Sequence, residues 1–318
     1  MPDSPTTRAL PRGRLSLYLA FYLLTQVCLS SADAQPIAII KSRNVASFNE
    51  ILDPFSAESQ TNSWQVVEFN LDGKEKNGKK IATQVRSIQP QLVLAFGPLA
   101  AQVAKEQLDG IPTLYCMVSN PQRYDLSGEH IAGISLDVPG AIQFTYYQEM
   151  VPDLKTLGVI YDPQKSETLV IEARKSADRM GLELIGIPVS SHKKVPEALR
   201  GMLGKIDALW MVPDDTVLTT DSFRFLLVTT FKNKLPFFAI SDIFVKVGAL
   251  ATIAPAPREM GKQLLDLTRL FLAGRLDLAS IDALSPVATN LIINTKTADK
   301  IGLKLSPGIL QTADKLYQ

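Results

Sequence analysis

Two kinds of hydrophobic pattern alternate along the chain. Short, continuous apolar runs, of which Pro36-Ile-Ala-Ile-Ile-Lys is the first, are typical of strands buried on both faces of a parallel sheet. Between these runs lie longer segments with apolar residues three and four positions apart, such as Ile81, Val85 and Ile88, which predict amphipathic helices. This alternation predicts an α/β fold in which helices cover both faces of parallel sheets.

The alternation occurs twice, in two consecutive series. The predicted strands of the first series lie at 36–41, 64–71, 91–97, 111–118 and 131–136. Those of the second series lie at 157–161, 182–189, 208–212, 235–240 and 249–253. At 318 residues the chain is long enough for two lobes of ordinary size. The sequence therefore predicts two doubly wound lobes.

The C-terminal part contains too little structure for a third domain. Gly261–Leu272 is a strongly amphipathic helix, Thr289–Asn294 is a predicted strand, and a short helix is predicted over Pro307–Tyr317. We expect these elements to return to the two lobes. The predicted N-terminal lobe is then 35–136 plus 254–288, and the predicted C-terminal lobe is 137–253 plus 289–318.

This arrangement requires three crossovers between the lobes. They are expected near Asp137, near Ala254-Pro255 and near Ala288. The predicted hinge residues are Asp137, Ala254 and Pro255. Three short connections limit the lobes to bending about one another, which favours a hinge over a loose linker.

Residues 1–34 have the pattern of an export signal. Three arginines precede the apolar run that starts at Leu15, and Ala32-Asp33-Ala34 supplies the small residues of a cleavage site. We expect cleavage after Ala34 and a periplasmic location; an uncleaved anchor is the alternative, although the run is short for a membrane span. Lipid attachment at Cys28 is disfavoured because Val27 precedes it. Cleavage would leave Cys116 as the only cysteine, so no internal disulfide is expected.

Charge and motifs give little support for several other classes of protein. Without the three arginines and two aspartates of residues 1–34, the chain has 30 basic and 30 acidic residues, which argues against a general nucleic-acid surface. The sequence contains no P-loop, no G-x-S-x-G, no H-E-x-x-H and no C-x-x-C. With His130 and His192 isolated, neither a metal site nor a cofactor is expected. A pair of cleft carboxylates from different loops stays open as an enzymatic alternative.

Ligands of open α/β sheets bind outside the carboxyl ends of the strands. In the first series, the residues that follow strands one, three and four are therefore candidates for ligand binding. They are Ser42, Arg43, Gly97, Pro98, Leu99 and Asn120. The corresponding candidates in the second series are Tyr161, Asp214, Asp215 and Asp242.

The two groups of candidates could hold the two ends of a zwitterion. Free N–H groups at the helix that begins after Gly97 suit a carboxylate, and the acidic residues of the second series suit an ammonium group. Structural roles are the alternatives. Gly97-Pro98 is also an ordinary helix start, Asp214, Asp215 and Asp242 are also capping residues, and Arg43 is also an ordinary surface cation.

Several segments, in this order and spacing, resemble a known family. They are Gly97–Gln102, Ile111-Pro112, Ile131–Ser135, Leu157–Pro163, Asp207–Trp210, Pro213–Asp215, Gly248–Thr252 with Gly261, and Asn294–Leu303. From Pro36 to its C-terminus, the chain resembles the periplasmic substrate-binding proteins of ABC transporters, which have the type I periplasmic binding protein fold. Within them it resembles the group whose characterised members bind aromatic amino acids.

The resemblance implies a function. A small molecule, an amino acid or a related small anion or zwitterion, would be captured between the lobes by hinge closure and delivered to an inner-membrane ABC permease. A monomer that binds no nucleic acid and is not an enzyme is expected. The alternatives are a sensory module that feeds a receptor partner, and an exported hydrolase.

The sequence departs from the family pattern at three places. Asn120-Pro121 replaces an aspartate–proline turn, and Lys165-Ser166-Glu167-Thr168 replaces an acidic-Asn-Ser pattern. At the second crossover, Ala254–Arg258 stands where the family tends to have glycine, aspartate and two aromatic residues. These departures add Ser166 and Arg258 to the candidate ligand residues, and Arg258 indicates a more anionic ligand.

Overall fold

The structure is a computed structural model that describes Met1, residues 35–62 and residues 64–318. Apart from Met1, the predicted export signal, including Cys28, lies outside the described residues. In the part of the chain that is described, no helix is both long and apolar enough to cross a membrane. Residues 36–318 pack as one unit.

Two sheets form the framework. The first has the order β2-β1-β3-β4-β5 and is parallel throughout. Its strands are β1 (Ile37–Lys41), β2 (Val66–Asn70), β3 (Leu92–Phe96), β4 (Thr113–Val118) and β5 (Ile131–Ser135). The second has the order β12-β11-β10-β9-β8-β6-β7, and β11 runs antiparallel to β10. Its strands are β6 (Thr156–Tyr161), β7 (Glu183–Pro188), β8 (Ala208–Trp210), β9 (Phe237–Phe238), β10 (Ala251–Pro255), β11 (Thr289–Asn294) and β12 (Lys315–Tyr317).

Helices connect most of the strands. They are α1 (Ala46–Asn62), α2 (Gly78–Ser87), α3 (Pro98–Gln107), α4 (Gly140–Met150), α5 (Pro163–Arg179), α6 (Val195–Met202), α7 (Thr220–Lys232), α8 (Asp242–Lys246), α9 (Pro257–Leu272), α10 (Thr295–Ile301) and α11 (Pro307–Thr312). Proline occupies the first position of several helices, where its missing N–H costs no hydrogen bond. Asp162 and Asn294 cap α5 and α10 with their side-chain oxygens.

Each sheet has an apolar core on both faces, as its continuous apolar strands predict. On β1, Ile37 and Ile39 pack with α1 and α9, whereas Ala38 and Ile40 pack with α2 and α3. We call the first sheet with α1, α2, α3 and α9 the first lobe. The second sheet, with the remaining helices, forms the second lobe.

Helix α9 follows β10 of the second sheet but packs against α1 of the first lobe. Gly261 permits this packing, because a Cβ atom there would clash with the carbonyl oxygen of Ile51. Helix α9 therefore packs on the first lobe, while β11 and β12 join the sheet of the second lobe.

Three chain passages join the lobes, near the places expected from the sequence. The first runs from β5 through Asp137 to α4, and the second from β10 through Ala256 to α9. The third leaves the edge of the first sheet, where Ser135 N–H donates to the carbonyl of Leu284 (2.8 Å). The second and third passages run side by side, since Ala256 N–H donates to the Ala288 carbonyl (3.0 Å). The predicted fold class is confirmed, whereas the exact lobe boundaries stay a prediction.

Two predicted elements differ from the structure. The helix predicted over Pro307–Tyr317 ends at Thr312, and the last residues form the edge strand β12. Asp314 stops the helix by turning back to accept a hydrogen bond from Leu291 N–H (2.7 Å). The strand predicted at 235–240 is only two residues long, at Phe237–Phe238.

Candidate functional site

A cavity of about 1010 Å³ lies between the two lobes. Residues of all three passages line it, including Asp137, Val138, Ala254, Pro255 and Ser285. Pockets that hold drug-sized ligands range from roughly 300 to 1,000 Å³. The cavity is therefore large enough for a small molecule, and bending of the three passages would change its shape.

Trp210 gives one wall of the cavity an aromatic side chain that is fixed in place. Trp210, at the end of β8, is nearly fully buried and packs edge-to-face on Phe144, with ring centroids 5.4 Å apart. Its indole N–H donates to Gln143 Oε1 (3.1 Å), which also accepts the hydroxyl hydrogen of Tyr147 (2.9 Å). Gln143 Nε2 in turn donates to the carbonyl of Val138 in the first passage (2.8 Å). The wall is thus held in one orientation before any ligand arrives.

Met117 contributes a second apolar side chain through an irregular backbone. It has φ of 62°, and the pairing of β4 with β5 shifts between Cys116 and Val118. Such bulges redirect a side chain, and they are common beside functional sites. The sequence gives no sign of this bulge, because residues 111–118 have the pattern of one uninterrupted strand.

Asp137 is the half-buried carboxylate of the first passage, and it lines the cavity. It accepts hydrogen bonds from Ser119 Oγ (2.8 Å), from Asn120 N–H (2.6 Å) and from Ser135 Oγ (2.7 Å). These bonds tie the predicted hinge to the turn that follows β4. Asp137 therefore positions this turn as well as lining the cavity.

Asn120 is buried in a left-handed conformation, with φ of 49°, and it lines the cavity. Its side-chain Nδ2 crosses to the second lobe and donates to the carbonyl of Lys165 (2.7 Å). Near it, Arg123 Nη1 donates to Asp215 Oδ2 of the second lobe (3.1 Å), and Lys165 Nζ lies 3.9 Å from the same oxygen. Two predicted ligand residues, Asn120 and Asp215, thus make contacts between the lobes.

Asp214 is fully buried and surrounded by hydrogen-bond donors of its own lobe. Its carboxylate accepts from Asp162 N–H (2.7 Å), Ser166 Oγ (2.8 Å) and Thr216 N–H (2.9 Å). Thr216 also donates its hydroxyl hydrogen to Asp162 Oδ2 (2.7 Å). The predicted ligand residues Asp214 and Ser166 therefore have protein partners, and the structure does not bring them to the cavity lining.

The turn after β3 is also occupied by protein contacts. Ser42 Oγ accepts a hydrogen bond from Ala100 N–H in the first turn of α3 (2.9 Å). Gly97 has φ of 85°, and a Cβ atom there would lie 2.8 Å from Ser42 Oγ. One of the helix-start donors predicted to hold an anion is thus used by Ser42, and Leu99 packs against the core of the first lobe.

The remaining candidates lie in three environments. Tyr161 is buried beside Gly186, and its burial, with the neighbouring Glu167, raises its pKa. Arg43, Pro98 and Arg258 are exposed and lie outside the cavity lining. The anionic ligand inferred from Arg258 therefore gains no support from its position.

Asp242 lines the cavity at the start of α8. It accepts hydrogen bonds from Tyr317 Oη (2.7 Å) and Lys315 Nζ (2.9 Å) of β12. Partial burial pushes the pKa of Asp242 upward, but the hydrogen bonds from Lys315 and Tyr317 and the positive charges of Lys315 and Lys246 outweigh it. The net effect lowers the pKa below its ordinary value.

The cavity therefore includes only some of the predicted residues. Of the candidate ligand residues, Asn120 and Asp242 line it, as do the predicted hinge residues Asp137, Ala254 and Pro255. The candidates outside its lining are Ser42, Arg43, Gly97, Pro98, Leu99, Tyr161, Ser166, Asp214, Asp215 and Arg258. Sequence reasoning missed Met117, Gln143 and Trp210, because it considered the residues that follow each strand. Trp210 could have been found from the sequence, because an aromatic residue in the last position of a strand lies next to the ligand-binding edge of the sheet.

Metal-ligand groups and reactive thiols are two other sources of chemistry in proteins, and the described residues bear on both. Among the residues that the structure describes, no group of three or more His, Cys, Asp or Glu side chains is arranged to hold a metal ion. Cys116 is fully buried in β4, and burial raises the pKa of its thiol to about 12. Its thiol is therefore protonated at neutral pH and is an unreactive part of the core.

Comparisons with known proteins agree with this geometry. The sequence pattern of the family described as ABC transporter substrate binding protein matches residues 56–317. A tyrosine-binding protein of Clostridioides difficile (strain R20291) is 25% identical over 236 residues, which cover 71% of this chain and 67% of the relative.

Two solved structures share the fold. A ligand-free, open substrate-binding protein with adhesive properties from Clostridium difficile has a TM-score of 0.74 and 19% identity, over 89% of this chain and 99% of that one. A Streptococcus pneumoniae ABC domain in complex with L-Trp has a TM-score of 0.66 and 20% identity, over 88% and 99%. The two lobes have the arrangement of a type I periplasmic binding protein.

Proposed function

Because the chain belongs to the ABC transporter substrate-binding protein family, we propose that it captures a small molecule between its lobes and delivers it to an inner-membrane ABC permease. The observation that carries this proposal is the cavity of about 1010 Å³ that all three passages border. The periplasm, reached through the export signal expected at residues 1–34, is the proposed location.

The proposed ligand is an amino acid or a related small zwitterion. Trp210 and Met117 offer apolar contact for a side chain, and Asp137 offers a carboxylate for an ammonium group. The names of two similar proteins, which refer to tyrosine and L-Trp, point in the same direction. An aromatic or large aliphatic amino acid is therefore the first class to test.

Binding operates through closure. A ligand that contacts both lobes binds the closed form more tightly than the open form, and this difference in affinity shifts the population toward closure. The permease would then recognise the closed shape. We propose binding without turnover, by a monomer that takes up no nucleic acid.

A cavity-filling substitution tests this function. Ala254 is half-buried and lines the cavity, so Ala254→Phe should block binding, whereas Ala279→Phe places the same side chain at an exposed site outside the lining. Each variant is titrated calorimetrically with L-tryptophan, L-tyrosine and the remaining amino acids. We expect saturable binding by the wild type and Ala279→Phe, and a loss of at least about tenfold in Ala254→Phe. Equal binding by all three proteins would place the ligand elsewhere, and conversion of the ligand would contradict binding without turnover.

A further inference from the structure

Four residues link the two lobes beside the cavity, through the side chains of Asn120, Arg123 and Asp215 and the backbone carbonyl of Lys165. They are Asn120 and Arg123 of the first lobe, and Lys165 and Asp215 of the second; we call them the interlobe clasp. We propose that the clasp sets the balance between the open and closed forms, and thereby the affinity for ligand, although only Asn120 lines the cavity. The effect on affinity rests on the proposed binding function, whereas the effect on closure does not.

Two hydrogen bonds of the clasp cross between the lobes, and one ion pair within the second lobe supports them. Asn120 Nδ2 donates to the Lys165 carbonyl (2.7 Å), and Arg123 Nη1 donates to Asp215 Oδ2 (3.1 Å). Lys165 Nζ approaches the same Asp215 oxygen at 3.9 Å. Because both crossing bonds join protein atoms directly, they favour closure whether or not a ligand is bound. Opening the cleft must break both.

The first-lobe side of the clasp is rigid. Asn120 donates its backbone N–H to Asp137 (2.6 Å), and Pro121–Tyr124 forms one 3₁₀ turn that carries Arg123. Asn120 and Asp125, at the two ends of this turn, both have left-handed backbone conformations. Since Asp137 belongs to the first passage, bending at that hinge acts directly on the position of Asn120.

The second-lobe side is fixed by buried neighbours. Ser166, next to Lys165, donates to Asp214 (2.8 Å), and Asp214, next to Asp215, is fully buried. The clasp residues thus project from two backbone segments that hydrogen bonds hold together. Rigid supports reduce the conformational entropy that is lost when the clasp forms.

The charges of the clasp are unequal across the cleft. Asp215 faces two cations, Arg123 and Lys165, and its side chain is 71% exposed. Water therefore screens each ion pair, and the expected effect of a single pair is small. Loss of the Asp215 charge nevertheless leaves Arg123 of one lobe facing Lys165 of the other with no anion between them. Asp215→Asn should therefore open the protein more than Arg123→Gln does.

These considerations predict graded effects. Asp215→Asn should weaken binding about fourfold and Arg123→Gln about twofold, mainly through faster dissociation. The double variant Arg123→Gln/Asp215→Asn should bind more tightly than Asp215→Asn alone, since the like charges no longer oppose each other. Raising the salt concentration should weaken binding by the wild type and leave binding by the double variant nearly unchanged.

The test measures the distance between the lobes and the ligand affinity in parallel. Spin labels at exposed Lys80 and Lys205 report the interlobe distance of the ligand-free protein, while calorimetry with L-tryptophan gives the affinity. Asp178→Asn, which removes a charge from an exposed site of the second lobe, is the matched control. We expect longer interlobe distances in Asp215→Asn, intermediate distances in Arg123→Gln, and wild-type distances in the control.

The outcomes show whether the clasp proposal or the proposed ligand class has failed. Longer ligand-free distances in Asp215→Asn, with no binding of L-tryptophan or any other amino acid, would support the clasp and contradict the proposed ligand class. Wild-type distances and wild-type affinity in Asp215→Asn would overturn the clasp and leave the binding function standing. An equal effect of Asp178→Asn would also overturn it, because the response would then follow net charge.

Discussion

Two polar networks lie side by side at the carboxyl ends of the second sheet, and they differ in what they join. The lobe-internal network, made of Asp162, Ser166, Asp214 and Thr216, connects β6, α5 and the turn after β8 within one lobe. The interlobe clasp uses the immediate neighbours Lys165 and Asp215 to reach the first lobe. Neighbouring residues thus have different partners: Ser166 and Asp214 bond within the second lobe, whereas Lys165 and Asp215 bond to the first lobe.

Asp214 and Asp215 are the same residue type, so their different roles follow from their different burial. Asp214 is fully buried and accepts hydrogen bonds from its own lobe, so its loss leaves donors without partners. Asp215 is mostly exposed, and water can replace its partners when the cleft opens. The first network should therefore govern folding stability, and the second should govern closure.

Removal of the Asp214 carboxylate is the largest expected perturbation. Asp214→Ala leaves buried donors of Asp162, Ser166 and Thr216 unpaired, which should lower the free energy of unfolding by about 3 kcal/mol. Asp215→Ala should change it by less than about 0.5 kcal/mol, as exposed sites usually do. Chemical denaturation of both variants measures the difference. Equal losses of stability in the two variants would contradict the proposal that the lobe-internal network governs folding stability and the clasp governs closure.

Asp137 should affect both folding stability and closure, because it is half-buried and hydrogen-bonds Asn120 of the clasp. Asp137→Ala removes acceptors for Ser119, Asn120 and Ser135, and we expect a loss of roughly 1–2 kcal/mol in unfolding free energy. The ligand-free interlobe distance should also increase, since the Asn120 turn loses its anchor. Denaturation and spin-label distances on the same variant test the two effects. A change in stability without a change in distance would limit Asp137 to a purely structural role.

Asp242 is the third case, since its partners Lys315 and Tyr317 belong to its own lobe while its own side chain and that of Lys315 are exposed. Its folded-state pKa is below its ordinary value of 3.8, so its contribution to stability is complete above that value. The contribution is lost as the pH falls through the folded-state pKa. We expect Asp242→Asn to cost under about 1 kcal/mol at pH 6, because solvent screens the pair, and to cost less at pH 3. A cost that stays constant between these pH values would contradict the ionic origin of the effect.

The fold could be predicted because it depends on repeated patterns. Continuous apolar strands alternating with amphipathic helices specified two lobes, and Gly261 lets the helix Pro257–Leu272 pack closely on α1 of the first lobe. The error at Pro307–Tyr317 arose because Asp314 pairs with Leu291, a partner far away in the sequence. Local helical preference could not indicate that contact.

The site was less predictable because adjacent residues with similar chemistry face different surroundings. Asp214 and Asp215 follow the same strand, and only the turn geometry places one inside the lobe and the other at the cleft. Met117 reaches the cavity through a left-handed backbone that its apolar neighbours do not reveal. Asp137, the predicted hinge carboxylate, was recognisable from its place between the two series of strands, and it lines the cavity.

The tryptophan in the cavity wall offers the most direct test of ligand capture between the lobes. The chain has two tryptophans, so Trp64→Phe leaves Trp210 as the only one. This variant is titrated with L-tyrosine while the fluorescence of Trp210 is recorded. We predict a saturable change with the same dissociation constant as calorimetry, and no change when Ala254→Phe is added. Calorimetric binding of L-tyrosine without any response from Trp210, undiminished by Ala254→Phe, would contradict the assignment of this cavity as the ligand site.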